Sequence, residues 1–139
     1  MEISRRTDYG IRVVLDLASS AAGARAATQA IAHRQSIPSP FLAKIIAQLS
    51  LAGLVNTHRG AGGGVALARP PSQISLLQVI EALEGPVRLN RCLIQPQACP
   101  NDGHCPVHDV LAEAQRALTE RLASTTFDTL ARKARSYDP

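Results

Sequence analysis

Apolar residues recur at helical spacing over most of this chain, and glycine or proline marks the ends of the helical stretches. Residues 3–22 predict a first helix, which Gly23 ends. Its expected inner positions are Ile11, Val14, Leu15 and Ala18. A short second helix is predicted from Thr28 to about Gln35, with Thr28 as its cap and a break at residues 36–38.

The third predicted helix begins with Ser39 as its N-cap and Pro40 in its first turn, and it runs to about Leu51. Its expected inner stripe consists of Leu42, Ile45, Ile46 and Leu49. Short helices joined by a tight turn to an amphipathic helix predict a helix-turn-helix. Two strand-like segments, 54–58 and 65–68, then flank the glycine-rich run 59–64, which predicts the hairpin "wing" of a winged helix.

Two adjacent prolines close this predicted DNA-binding domain, so residues 1–70 form one region and residues 71–139 another. Ser75 and Gln78 have the spacing of a capping box at the start of a helix that Gly85 ends. Residues 88–108 form a polar loop with no clear period.

A long helix is predicted from Pro106 to about Ala123, followed by a shorter one over residues 126–133. The expected seam of the long helix is Val107, Leu111, Ala114, Leu118 and Leu122, with Val110 beside it. We expect this helix to pair with a second copy of the chain. The predicted fold class is therefore mainly α: a winged helix-turn-helix with a small β-hairpin wing, plus a long C-terminal dimerisation helix.

Composition favours one compact unit, or two small lobes that share a core. The chain has 139 residues, of which 45% are hydrophobic and 3% aromatic, so the core must be aliphatic. Lys plus Arg number 15 against 11 for Asp plus Glu, and Arg predominates, which weakly favours a polyanionic partner. No apolar run approaches the roughly 20 residues that span a bilayer, and charges interrupt the first residues, so we expect a soluble cytoplasmic protein. No nucleophile–base pair or paired carboxylate stands out, so an enzyme is not expected.

The glycine run is the first candidate site. It lacks the Gly-Lys-Ser/Thr of a P-loop and the spacing of a dinucleotide fingerprint. A flexible turn would explain several glycines, but backbone without side chains also lets a hairpin approach phosphate while an adjacent Arg enters a minor groove. The predicted DNA contacts are Ser39, Lys44 and Gln48 on the third helix, with His58, Arg59 and Gly60 on the wing.

Three cysteines, Cys92, Cys99 and Cys105, lie in one polar loop, and His108 follows the last of them. Thiolate and imidazole ligands suit an iron–sulfur cluster or zinc. Structural zinc sites favour shorter Cys spacings than these, whereas wide gaps let a loop surround a larger cluster. The positive end of the helix that begins beside Cys105 also favours an anionic centre. A structural Cys₃His zinc site and a metal-free thiol-redox switch remain the alternatives.

These features together resemble the IscR/NsrR family of winged-helix iron–sulfur transcription regulators. The segments that carry the resemblance are ISRRTDYGIRVVLDLA, SIPSPFLAKIIAQLSLAGLV, RGAGGGVAL and the cysteine loop. The resemblance implies a homodimer that binds a pseudo-palindromic operator in double-stranded DNA. It also implies one cluster per subunit, [2Fe-2S] or [4Fe-4S], on Cys92, Cys99 and Cys105, whose state sets operator affinity.

The resemblance leaves the fourth cluster ligand open. His108 matches the IscR arrangement, Asp8 from the partner subunit matches the NsrR arrangement, and His33 is the third candidate. The chain departs from the IscR pattern in the longer spacing between Cys92 and Cys99, and in carrying Ala43 where an acidic reader of bases is common. The signal, whether nitric oxide, iron, cluster supply or redox state, is therefore left open, as is the operator sequence.

Overall fold

The structure, a computed structural model, describes residues 2–95 and 104–137. Its elements in chain order are α1 (Arg5–Ala18), α2 (Thr28–Gln35), α3 (Ser39–Leu51), β1 (Val55–His58), β2 (Gly64–Leu67), α4 (Leu76–Glu84), α5 (Pro106–Ala123) and α6 (Phe127–Ser136). Short 3-10 turns at Pro71–Gln73 and Arg91–Leu93 complete the described elements. The predicted fold class, a mainly α winged helix-turn-helix followed by a long helix, is confirmed.

Helix starts follow local capping chemistry, and two predicted caps are wrong. The N-cap of α3 is Pro38, whose backbone is extended, and Ser39 is the first helical residue with no side-chain cap bond. Pro38 instead accepts from Leu42 N through its carbonyl oxygen at 3.0 Å. Ala27, not Thr28, likewise occupies the cap position of α2.

The starts of α1 and α4 carry side-chain caps. Ser75 Oγ accepts from Gln78 N at 3.1 Å while Gln78 Oε1 accepts from Ser75 N at 2.8 Å, so the predicted capping box is present. Ser4 Oγ accepts from Thr7 N, which begins α1 at Arg5, later than predicted.

One aliphatic core holds the helices together. The predicted inner stripe of α3 is fully buried. On α1 the stripe is rotated from the prediction: Val13, Val14 and Leu17 are buried, whereas Ile11 and Leu15 are half-buried. The core also includes Phe127 of α6, which is 0% exposed, so the C-terminal helix packs against the helix-turn-helix. Burying a side chain of this size contributes about 1.5–3 kcal/mol.

The wing is an antiparallel pair in which Val55 lies opposite Leu67 and His58 lies opposite Gly64. Ala26, in the connection between α1 and α2, extends this sheet, because its N–H and C=O both bond to Val65, at 2.9 and 2.8 Å. The base of the wing is thus fixed to the helical core. No helix within the described residues is long and apolar enough to cross a membrane.

Helix α5 lies on the outside of the chain. It is described over its whole length, and none of its side chains is buried. Within the predicted seam, Leu111 and Leu122 are half-buried, whereas Val107 and Leu118 are 60% and 37% exposed; Val110, beside the seam, is 64% exposed. The exposed apolar residues form a stripe, completed by Ala114 and Ala117, that no other described residue covers.

Candidate DNA interface and cysteine site

The outer face of α3 carries two of the predicted DNA contacts. Ser39 and Lys44 are exposed, while Gln48 is half-buried at the edge of the face. The opposite face of α3 is held in the core by the four buried residues of its inner stripe. The helix therefore presents its N-terminal half to the surroundings, which is how a recognition helix enters a major groove.

The tip of the wing carries the other predicted contacts. His58, Arg59 and Gly60 are all exposed at the end of the hairpin. Gly60 has a φ of 87° and its carbonyl accepts from Gly63 N at 2.9 Å, which closes the turn. The turn leaves the Arg59 side chain and the adjacent bare backbone free to approach a nucleic acid.

Arg25 is a neighbouring cation that the sequence patterns do not single out. It is exposed, and its Nη1 donates to the Gly62 carbonyl at 3.4 Å, so it lies against the wing tip. Sequence spacing could not reveal this, because the two residues are far apart along the chain.

A charge pattern provides a further signal. The chain has no Asp or Glu from Leu17 to Ile80, although that segment contains Arg25, Arg34, Lys44, Arg59 and Arg69. Arg34 is engaged, because its Nε and Nη2 donate to the Asp16 carboxylate at 3.0 and 2.7 Å. The segment that forms α2, α3 and the wing therefore has no carboxylate of its own, which favours a polyanionic partner.

Cys92 lies in the 3-10 turn Arg91–Leu93 and is a free, partly exposed thiol. Its Sγ accepts from Asn90 Nδ2 at 3.6 Å, and Asn90 Oδ1 caps the turn by accepting from Arg91 N at 2.9 Å. Just before the turn, Leu89 N donates to Gln115 Oε1 of α5 at 2.9 Å. These bonds fix the first part of the cysteine loop against α5.

Cys105 and His108 occupy the N-terminal end of α5. Cys105 is a partly exposed free thiol at the N-cap, followed by Pro106. His108 Nδ1 is buried and has no hydrogen-bond partner among residues 2–95 and 104–137. His104, Cys105, His108 and Asp109 line one open pocket. A thiol and an imidazole nitrogen one helical turn apart are both suitable ligands for a transition metal.

Not all of the predicted ligands are brought together. Cys99 lies outside the described residues, and within the described ones no three His, Cys, Asp or Glu side chains form a metal-binding group. Asp8 is on the first turn of α1, where its Oδ2 accepts from Arg12 Nη2 at 2.6 Å. His33 is exposed in the last turn of α2.

Comparison with known proteins identifies the class of regulator. Residues 3–133 match the Rrf2 family, described as iron-dependent transcriptional regulators. A Synechocystis sp. protein described as an HTH-type transcriptional regulator is 44% identical over 84 residues, which cover 60% of this chain and 57% of that relative.

Two solved structures share the whole fold. CymR, the global cysteine regulator of B. subtilis, has a TM-score of 0.81 at 27% identity, covering 100% of this chain and 99% of that one. T. potens IscR has a TM-score of 0.78 at 28% identity, covering 100% and 93%. The resemblance inferred from the sequence is thereby confirmed at the level of the family, as is the expectation that the protein is not an enzyme. This chain belongs to the Rrf2 family of DNA-binding transcription regulators.

Proposed function

We propose that this chain acts in the cytoplasm as a homodimer that binds a pseudo-palindromic operator and whose affinity is set by an iron–sulfur cluster. The observation that carries the DNA part is the carboxylate-free segment from Leu17 to Ile80, folded into a helix-turn-helix and a wing. Two wings and two recognition helices in a symmetric dimer match the symmetry of two DNA half-sites.

Cys92, Cys99 and Cys105 are the proposed cluster ligands, and His108 is the preferred fourth. The fit is supported by two partly exposed free thiols and by the buried Nδ1 of His108 beside Cys105, which has no hydrogen-bond partner in the described part of the chain. Asp8 of the partner subunit and then His33 are the alternatives for the fourth position. A bound cluster would supply a centre that responds to oxidants, nitric oxide or iron supply.

The chain has a contact path from the cysteine loop to the DNA-binding helices. Leu89 N is bonded to Gln115 of α5, so the loop and the long helix are joined before the first cysteine. At the same end of the loop, α4 packs along α1, and the end of α4 is tied to the start of α1 because Ser4 N donates to Glu84 Oε1 at 2.7 Å. A change in the loop could therefore tilt α4 and α1, and with them α3.

A metal-free thiol switch is the second candidate. It is supported by the similarity to CymR, which is named as a cysteine regulator, and by the partly exposed thiols of Cys92 and Cys105. A structural zinc site on the same donors is the third. All three candidates share the DNA-binding function and differ in what the cysteines hold.

The DNA function is tested with Arg59→Ala. Because Arg59 is exposed at the wing tip, we expect weaker binding to operator DNA and a slope of log affinity against log salt that is shallower by about 1 for each phosphate that Arg59 no longer neutralises. Lys133→Ala, on the exposed surface of α6, is the matched control and should bind as the parent does. Unchanged affinity and slope for Arg59→Ala would show that the wing does not contact DNA.

Anaerobic purification tests the cluster. Brown protein with iron and sulfide supports the cluster, colourless protein with zinc supports the structural zinc site, and a metal-free dimer supports the thiol switch. His108→Ala, Asp8→Ala and His33→Ala, each analysed for iron and sulfide, then identify the fourth ligand. Material that stays colourless after reconstitution with ferrous iron and sulfide, and binds DNA equally before and after, overturns the proposal.

A further inference from the structure

The outward face of α3 is almost entirely apolar. Pro40, Lys44, Ala47 and Leu51 follow one another at the repeat of a helix face, opposite the buried stripe, and Ala43 flanks them. Leu51 is 89% exposed. Lys44 is the single charge on this face, and α3 contains no acidic residue. A surface helix usually turns polar residues outward, so this arrangement calls for a partner that covers methyl groups.

We propose that α3 reads thymine by burying the thymine C5-methyl against the methyl groups of Ala43 and Ala47. This inference rests on the proposed DNA-binding function and adds the base preference of the operator. In the major groove, cytosine is read by a carboxylate and adenine by an Asn or Gln amide, whereas an alanine methyl pairs with the thymine methyl. The exposed centre of the α3 face offers the last of these, with Lys44 as its one charged donor.

Charge identifies DNA as the occupant of this apolar face. The segment from Leu17 to Ile80 has no carboxylate, and the exposed cations Arg25 and Arg59 lie at the neighbouring wing tip. An apolar protein partner gives no reason for acidic residues to be missing around the helix. A duplex favours their absence, because its phosphates repel carboxylates on either side of the groove.

The test begins with selection of duplexes from a random library by the purified dimer. Each thymine in the selected half-site is then replaced by deoxyuridine, which removes only the C5-methyl and keeps base pairing. Loss of one buried methyl should weaken binding about fourfold, and loss of the equivalent methyl in both half-sites about fifteenfold. Deoxyuridine outside the selected motif is the matched control and should have no effect.

Variants at position 47 test whether α3 causes the weaker binding to deoxyuridine. With Ala47→Gly, the affinity difference between thymine and deoxyuridine at the matching position should become smaller, because one of the two protein methyls is gone; Ala43→Gly combined with Ala47→Gly should reduce it towards zero. Ala47→Gln keeps high helix propensity, so it guards against a folding defect, and it should shift the selected base from thymine towards adenine. Circular dichroism of these variants checks that the helices persist.

The outcomes separate the two proposals. A library from which no sequence is enriched overturns DNA recognition and this inference with it. An enriched operator that tolerates deoxyuridine at every position, or that keeps its thymines with Ala47→Gln, overturns thymine reading alone and leaves the regulator function standing.

Discussion

At the scale of single residues, Asp16 carries the best-defined polar contact in the DNA-binding half. Its side chain is 6% exposed and accepts from Arg34 through Nε and Nη2 and from Gln35 Nε2 at 2.9 Å. Burial acts to raise the pKa of this carboxyl, but the hydrogen bonds from Arg34 and Gln35 and the guanidinium charge outweigh burial and lower the pKa. In its charged form, Asp16 thus holds α1 against α2.

Asp16→Asn should lower the free energy of unfolding by about 1–3 kcal/mol at neutral pH, because the hydrogen bonds from Arg34 and Gln35 lose their charged acceptor. The pKa of Asp16 is lower in the folded state than in the unfolded state. The parent protein therefore has the full stabilisation from Asp16 at pH values above the unfolded pKa of about 4, and it loses this stabilisation as the pH falls through the folded pKa. Denaturant titrations from pH 7 to pH 3 measure it. Glu113→Gln, exposed on α5, is the control. Equal pH dependence in parent and Asp16→Asn would contradict the role assigned to this carboxylate.

Gly64 is the residue on which the base of the wing depends. Its φ is 137°, and a Cβ there would collide with the backbone carbonyl of Ala26. Gly64→Ala should therefore destabilise the protein by about 2–4 kcal/mol and weaken DNA binding through a displaced wing. Gly62→Ala shares a positive φ of 74° but has open space around the new methyl, so its cost should be only about 1–2 kcal/mol. Thermal unfolding of the pair checks this, and similar losses would mean that Ala26 does not constrain the wing.

At the scale of elements, α5 is the least buried of the described helices in the single chain. The half-buried Leu111 and Leu122 lie along one edge of the exposed apolar stripe. An apolar stripe along five turns of helix is stable in water when a second helix covers it. The proposed dimer supplies such a helix from the partner subunit.

Leu118→Arg combined with Val110→Arg should convert the dimer to a monomer, since both charges would be buried against their own copies at a symmetric interface. Analytical ultracentrifugation measures the mass, and operator affinity should fall because the two half-sites are then bound separately. Ala123→Arg places an arginine on the exposed surface of α5 where no stripe residue lies three or four positions away, and it should remain dimeric. A dimer that persists with both arginines would assign the interface to another element.

Hydrophobic periodicity predicted where the helices lie along the chain better than it predicted which face of each helix is buried. The inner stripe of α3 was predicted correctly, because four large aliphatic residues leave one choice of face. On α5, Leu111 and Leu122 of the predicted seam are half-buried within the single chain while Leu118 is exposed, and the pairing of this seam with a second copy stays a prediction. The cap at Ser39 was also wrong, because flanking prolines satisfy the helix start without a side-chain bond.

At the scale of the whole molecule, the sequence predicts which site residues matter more readily than where they meet. The wing and α3 follow from local patterns, so the exposed positions of Lys44 and Arg59 could be expected from sequence alone, while their contacts with DNA stay a prediction. The contact of Arg25 with the wing could not, because it depends on the chain connection that adds Ala26 to the sheet. The cysteine site stays a prediction, since Cys99 lies outside the described residues.

The proposed route between the cysteine loop and the DNA-binding helices is also a property of the whole molecule. Ser4 N donates to Glu84 Oε1 at 2.7 Å, and Arg6 Nη2 donates to the Leu83 carbonyl at 2.9 Å. Both bonds join the first turn of α1 to the last turn of α4, just before Gly85 leads into the cysteine loop. Bonds to Ser4 and Thr7 keep the pKa of Glu84 below its usual value, so the acceptor stays ionised at neutral pH.

Glu84→Ala tests whether this contact transmits the state of the cysteine loop. It should leave the fold and metal-free DNA binding near the parent values, because Glu84 is exposed and distant from the recognition helix along the chain. The ratio of operator affinities between the cluster-loaded and metal-free forms, about 5–150-fold in typical coupled systems, should fall towards one. Glu84→Gln keeps an oxygen acceptor for Ser4 N and should restore the ratio, and Glu81→Ala, exposed on the same helix, should not change it. A ratio that survives Glu84→Ala would move the coupling from the α1–α4 contact to the α5 side of the loop, where Leu89 is bonded to Gln115.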